Sequence, residues 1–340
     1  MKRSVVVMRG PFDIAVDREE LPPPGSGEVS VQARFSAISA GTELLFYRGR
    51  IPQDLSLDAT LPSLSGPASY PLRYGYAAVG RVREIGPEVP GSLMNRRVFC
   101  FHPHASRFCT PTAEAVLIPE DIDDRDALFL ATMETAVTLM LDGRPTIGET
   151  AIVFGQGVVG LLAAALLSRH PLHRLVTVDP IPQRRKASLD MGAHAALDLA
   201  EAEALKSPRS SRGGGDQADL VFELSSDPSA LNTAIDLTGF GGRIVIGSWY
   251  SAVPATLDLG GRFHRSRIHL VASQVSTLPS HALARWDRVR RQRVAWEMIR
   301  LTRPSRLITH QIAVENAAEA YELLDRRPWE ALQVALRYGH

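Results

Sequence analysis

Cysteine is scarce: Cys100 and Cys109 are the only two in 340 residues. Two thiols cannot build a disulfide framework, and their scarcity fits a reducing compartment. Excess charge is lacking too, with 38 basic against 37 acidic residues and a net charge of +1. So balanced a chain offers no general attraction for polyanions. Long apolar runs are also missing. No stretch is long enough to cross a bilayer, and Met1-Lys2-Arg3 leads only to a short apolar run, Val5 to Met8, behind the polar Ser4. These absences predict a soluble cytoplasmic protein with neither nucleic acid nor membrane as partner.

What is present is organised around Thr150 to Ala193. Ala151-Ile152-Val153-Phe154 reads as a buried strand, and Gly155-Gln156-Gly157-Val158-Val159-Gly160 follows at once. An apolar helix runs on to Leu167, and a second apolar run, Leu175 to Val178, ends on Asp179. Strand, glycine turn, helix, strand and acid together form the context that gives GxGxxG a meaning. Gly155 permits a tight turn, Gly157 lets a pyrophosphate approach the backbone, and Gly160 lets helix and strand pack closely. The helix N-terminus then offers free N–H groups and a positive dipole end to the phosphates. Asp179, about twenty residues beyond the glycines, is placed to accept the adenosine ribose hydroxyls. A 2′-phosphate would meet like charge there, which favours NAD(H), while Arg184 and Arg185 keep NADP(H) open.

The chain is long enough for two cores. Residues before about 125 read as β-rich, with strands at Ser4–Met8, Glu28–Ala33, Ala77–Glu84 and Val98–Phe101 between Pro and Gly clusters. Pro52 to Tyr70 reads as a long surface loop. Asp124 reads as the N-cap of a helix through about Leu141. From Thr150 the pattern becomes strand–helix alternation, with further strands at Ala195–Leu197, Leu220–Leu224, Arg243–Ile246 and Ile268–Ala272. That gives a six-stranded doubly wound parallel sheet, interrupted by a flexible loop at Ser207–Gly215. Beyond Ser273 the pattern predicts a basic helix at Arg285–Leu301, a strand at Ile308–Ile312, a helix at Val314–Leu324 and a strand at Gln333–Arg337. This tail is too small for its own core and is expected to return to the first domain. The expected division is 1–124, 125–274 and 275–340. The arginines of the basic helix read as a solvated face rather than a phosphate site.

The order of parts resembles the medium-chain dehydrogenase/reductase superfamily, over essentially the whole chain. Ser39-Ala40-Gly41-Thr42-Glu43 resembles the Cys-Gly-Thr-Asp segment of its zinc enzymes. Tyr74 to Val82 resembles their Pro-Gly-His-Glu-x-x-Gly-x-Val, and Arg184 to Ala193 their Arg…Ala…Leu-Gly-Ala, with Met191 for the leucine. The Leu307-Ile308-Thr309 strand, with the Glu-containing helix that follows it, resembles the usual ending. The resemblance implies a Rossmann domain plus a GroES-like β-rich catalytic domain, with the active site in a cleft between them.

The departures concern metal. The superfamily's first zinc ligand falls on Ala40 and its second on Tyr76, and the adjacent glutamate falls on Ala77. Alanine cannot ligate, and a phenol is a poor replacement for imidazole on Zn²⁺. Glu134 stands where some members have an acidic third ligand, and a structural zinc lobe needs four cysteines. His102-Pro103-His104 is a poor metal pair, since proline fixes the backbone and further ligands are missing. No zinc and no other metal is therefore expected. Without a Lewis acid, hydrogen-bond donors and a proton relay must stabilise the oxygen at the reacting carbon. The resemblance makes Tyr76 the leading donor, against plain packing as its alternative. Thr42 and Glu43 are candidates to relay a proton or bind the nicotinamide ribose, with a structural ion pair as the alternative for Glu43. His102 is a catalytic candidate able to titrate near neutrality, and His104 a substrate contact. Glu134 and Thr135 belong to a helix expected beside the cleft, as catalytic and cofactor-binding residues respectively. Gly247 and Ser248 are expected near the nicotinamide, and Trp249 as a wall of the substrate pocket.

The resulting expectation is a zinc-independent, NAD(H)-preferring oxidoreductase of secondary alcohols and ketones. The zinc-free segments resemble the branch around bacteriochlorophyllide hydroxyethyl dehydrogenases, without carrying over that large substrate. The alternatives are a quinone or enone reductase acting on C=C bonds with NAD(P)H, and a non-catalytic nicotinamide-binding protein. Superfamily habit implies a homodimer, with Ile268–Ala272 as the edge strand that pairs across a two-fold axis.

Overall fold

The structure, a computed structural model, describes residues 2–52, 57, 61–205 and 217–339. The expected loop at Ser207–Gly215 and much of that at Pro52–Tyr70 lie outside the described residues. The chain forms two compact units. One runs to Ala131 and resumes at Arg303, and the other is Thr132–Thr302.

The first unit opens with an antiparallel hairpin, β1 (Lys2–Gly10) and β2 (Asp13–Glu20). Next come β3 (Glu28–Ala37), α1 (Ala40–Tyr47), β4 (Ala78–Ile85), β5 (Arg97–Cys100), β6 (Arg107–Pro111), β7 (Val116–Leu117) and α2 (Asp124–Ala127). The predicted strands are present, while β2, β6, β7 and α1 are additions. Helix α1 forms without an apolar period because the Glu43 carboxylate accepts the Ser39 N–H at 2.7 Å and so closes its first turn. The helix expected from Asp124 is divided. Asp123 is the cap of α2, accepting the Arg125 N–H at 2.9 Å, and a second helix, α3 (Leu130–Gly143), follows after a break. Asp124 is instead buried between Arg34 of β3 at 2.8 Å and Arg97 of β5 at 3.0 Å. These two guanidiniums pin α2 to the sheet.

The second unit contains β8 (Thr150–Phe154), α4 (Val158–Leu167), β9 (Arg174–Val178), α5 (Pro182–Asp190), β10 (Ala195–Leu197), α6 (Leu199–Ala204), β11 (Ala218–Glu223), α7 (Ala230–Leu237), β12 (Thr238–Ile246), β13 (His269–Ala272) and α8 (Arg288–Thr302). Its parallel sheet has the order β10-β9-β8-β11-β12-β13, the doubly wound arrangement that the alternation predicts. Every residue of β8 is buried, as befits a central parallel strand covered on both faces. Helix α4 is apolar all round and buried from Gly160 to Leu167.

The chain then re-enters the first unit through β14 (Ile308–Ala313), α9 (Ala317–Arg326) and β15 (Gln333–Arg337). Strand β15 pairs with β3, Leu336 opposite Ser36, so the tail does complete the first core. Both boundaries are later than expected, because α2 stays with the first unit and α8 with the second. Arg291 of α8 is buried there, with Nε 3.4 Å from Glu134 Oε1 and Nη1 3.4 Å from Thr138 Oγ1. A buried guanidinium needs such partners.

Candidate functional site

The sheet order of the second unit reverses between β8 and β11, and ligands of doubly wound sheets bind beyond the strand ends at that point. The turn after β8 carries the glycines. Gly155 has φ +82°, and a Cβ there would lie 2.4 Å from the Leu224 carbonyl oxygen, so only glycine lets the two turns touch. A Cβ on Gly160 would lie 1.9 Å from the Gly155 oxygen, which seats α4 tightly on the turn. A Cβ on Gly157, by contrast, would meet nothing within 4 Å. The turn is therefore closed on its protein side and open at the N-terminus of α4, where Val158 and Val159 are half-buried. That is the shape a pyrophosphate needs.

Asp179 ends β9 and is buried. Its Oδ2 accepts the Gln156 N–H at 2.7 Å, its Oδ1 the Ile181 N–H at 2.8 Å, and Arg184 Nη1 lies 3.8 Å from Oδ2. The acid is thus tied to the glycine turn. The buried Gln156 Oε1 and Arg184 Nε have no protein partner. The residues fit a dinucleotide, with an open cradle, an acid beside it and two polar atoms still unsatisfied. Gly247 donates its N–H to the Glu223 carbonyl at 3.0 Å, and Ser248 Oγ accepts the Ser226 N–H at 2.9 Å. Trp249 is 41% exposed. Sequence reasoning missed Glu223, a buried carboxylate at the end of β11 that accepts the Ser225 N–H at 2.7 Å and the Tyr250 hydroxyl. Burial and the Glu223 charge push the Tyr250 phenol up. An acid closing an apolar strand, the signal that singled out Asp179, was available for Glu223 as well.

Glu134 and Thr135 lie on α3 in this same unit. Glu134 is buried against Arg291, and burial holds its carboxyl above the usual range despite that cation. Thr135 is half-buried.

The remaining candidates gather in the first unit. Tyr76 is half-buried, and its hydroxyl donates to Ser39 Oγ. Thr42 is half-buried in the first turn of α1. Glu43 and His104 have no exposed surface. His104 Nε2 lies 3.0 Å from Glu43 Oε2 and its Nδ1 2.7 Å from Ser36 Oγ, while the Tyr321 hydroxyl donates to the same Glu43 oxygen. The expectation of His104 as a substrate contact is thus corrected: both ring nitrogens are spent inside the core. Glu43 takes its structural alternative, with His104 and Tyr321 rather than an arginine as partners. His102 stacks on Phe108 with ring centroids 3.8 Å apart, and its Nδ1–H donates to the Pro103 carbonyl at 2.8 Å. Burial lowers its pKa to about 4, below the near-neutral window expected of it.

Residues 158–288 match the family model for zinc-binding dehydrogenases. A 2-desacetyl-2-hydroxyethyl bacteriochlorophyllide A dehydrogenase from Cereibacter sphaeroides is 26% identical over 338 residues, covering 94% of each chain. A D-guloside 3-dehydrogenase from Escherichia coli is 22% identical over 329 residues, covering 92% of this chain and 93% of the relative. Along its length the chain is similar to the medium-chain dehydrogenases/reductases. Like these relatives it is an oxidoreductase of α/β class, with a Rossmann unit and a β-rich GroES-like unit. The same fold occurs in a short chain alcohol dehydrogenase from Escherichia coli CFT073 complexed with NADH, at a TM-score of 0.79 and 20% identity, covering 99% of both chains.

The matching family model is described by zinc binding, and the two positions where the resemblance puts zinc ligands hold Ala40 and Tyr76. Ala40 brings no donor atom, and the Tyr76 hydroxyl is bonded to Ser39. Among the described residues no group of three or more His, Cys, Asp or Glu is placed to hold a metal ion.

Proposed function

We propose that the protein is a zinc-independent oxidoreductase that prefers NAD(H) and moves hydride between a secondary alcohol and a ketone. The observation that carries this reading is the Tyr76–Ser39 hydroxyl pair, found at the position where the resemblance puts a metal ligand. Relatives named for dehydrogenation at carbon 3 of a guloside and at a hydroxyethyl substituent support the alcohol chemistry.

A bound nicotinamide supplies or accepts the hydride. The chain's own groups do the rest. The open backbone at Gly157 and the first turn of α4 would hold the pyrophosphate, and Asp179 would hold the adenosine ribose. Gly247, Ser248 and Thr135 would complete the cofactor contacts of this unit, with Trp249 toward the substrate. Tyr76 donates a proton to the ketone oxygen in reduction and takes it back in oxidation, with Ser39 next in line. Two hydroxyls in series can pass a proton without leaving a charge on either residue.

The test is NADH formation from a panel of secondary alcohols by the native protein and by Tyr76→Phe. Loss of a positioned acid–base group predicts a fall in kcat of about a hundredfold with NADH affinity unchanged. Turnover of enones alone would mark a C=C reductase, and NADH binding without any turnover a cofactor-binding protein. Either outcome sinks the proposal. The proposal includes a homodimer formed through the edge strand β13, whose His269 and Ala272 are exposed. A solution mass of 37.1 kDa, that of one chain, would contradict it.

A further inference from the structure

Two backbone segments carry the hydroxyl pair, Ser39 at the start of α1 and Tyr74-Gly75-Tyr76 ahead of β4. One buried imidazole touches both. On the α1 side, His104 Nε2 meets Glu43 Oε2 at 3.0 Å, and Glu43 Oε1 accepts the Ser39 N–H at 2.7 Å. On the other side, the ring lies flat on Gly75. A Cβ there would fall 2.7, 2.8 and 2.9 Å from Nε2, Cδ2 and Cε1, and Gly75 has φ +115°, so this contact requires glycine. The backbone N–H of His104 also donates to the Tyr74 carbonyl at 3.2 Å. The Tyr76 hydroxyl, donating to Ser39 Oγ, closes the ring of contacts.

The proton positions follow from the partners. Ser39 N–H can only donate. The Tyr321 phenol is pushed well up by burial and by the Glu43 charge, so it keeps its proton and donates to Oε2. Nε2 of His104, facing that same oxygen, donates as well. Nδ1 lies 2.7 Å from the Ser36 hydroxyl, and Ser36 Oγ lies 2.7 Å from the Tyr338 hydroxyl. One buried carboxylate thus receives three donors, and the imidazole has one usable orientation.

We propose that His104 is a positioning residue that, through Glu43 on one side and Gly75 on the other, holds Ser39 and Tyr76 at hydrogen-bonding distance. This rests on the proton-transfer role assigned to Tyr76 above, and it goes beyond that role in naming what sets the geometry. A metal ion shared by the two segments would tie them together. Here a histidine–carboxylate pair inside the core performs that mechanical task.

The test uses two substitutions of similar size with opposite predictions. His104→Gln puts an amide N–H near the place of Nε2 and keeps the donation to Glu43. His104→Asn puts its amide near Nδ1, serves Ser36 and leaves Glu43 short of a donor. Hydrogen exchange of the Ser39 amide is the activity-independent readout. His104→Gln is expected to exchange within about threefold of the native protein, and His104→Asn about tenfold faster, the scale of one charge-assisted hydrogen bond. Alcohol-dependent kcat should follow the same order with the KM for NAD⁺ unchanged. Equal behaviour of the two variants would reduce His104 to core filling and overturn the proposal. If Tyr76→Phe is fully active, the catalytic reading fails alone, and Ser39 exchange still decides the positioning role. Where a variant does not fold, ¹⁵N spectra of the native histidines decide. A proton on Nε2 of His104 is expected, and a bare Nε2 would overturn the assignment.

Discussion

The His102 ring, flat on Phe108 at an interplanar angle of 12°, is neutral over most of the accessible pH range. Burial lowers its pKa from the ordinary 6.5 of a histidine to about 4. Between those values the unfolded chain binds the proton and the folded chain does not, so this residue's contribution to stability falls as pH drops from the upper value toward the lower. Above that window it costs nothing. Replacing His102 with Gln should flatten the loss of melting temperature over this interval, and identical pH slopes in the two proteins would contradict the account. The same reasoning removes His102 as a proton donor near neutrality and leaves Tyr76 and Ser39 as the hydroxyls suited to that task. Their neighbours Glu43 and His104 act on them from inside the core.

At the scale of elements, the glycine turn separates folding from binding. Gly160→Ala forces a methyl group into the Gly155 carbonyl and should destabilise the second unit by about 1–3 kcal/mol, read from urea unfolding. Gly157→Ala has room for its methyl group at an ordinary φ of −65° and should leave stability within about 0.5 kcal/mol. That methyl group fills the space a pyrophosphate needs, so NADH affinity should fall sharply. Native-like affinity in Gly157→Ala would remove the phosphate from this turn. The central parallel strand was legible because it is covered on both faces and reads as an unbroken apolar run, Thr150–Phe154. Strand β2, Asp-Ile-Ala-Val-Asp-Arg-Glu-Glu, has half-buried and exposed positions only, and no apolar run announces it. Helix α1 was hidden because a side chain, not a periodicity, starts it. The buried cluster was illegible for a different reason. Tyr321 lies 278 residues from Glu43, and Ser36 lies 68 from His104, separations that only the folded sheet brings together.

Over the whole molecule, the cofactor-binding features all belong to the Rossmann unit, and the hydroxyl pair with its buried support belongs to the β-rich unit. The returning tail matters to the second group, since Tyr321 of α9 and Tyr338 after β15 both join the network around Glu43 and Ser36. A truncation at the end of the Rossmann unit would therefore remove two of the phenols that order the proposed donor. The central claim is that alcohol oxidation proceeds here on protein donors without zinc. The most direct measurement is the zinc content of the purified protein, taken together with alcohol-dependent NADH formation before and after exhaustive chelation. The account predicts zinc far below one ion per chain and a rate that chelation leaves unchanged. One zinc per chain, with activity lost on its removal and restored on its return, would contradict it.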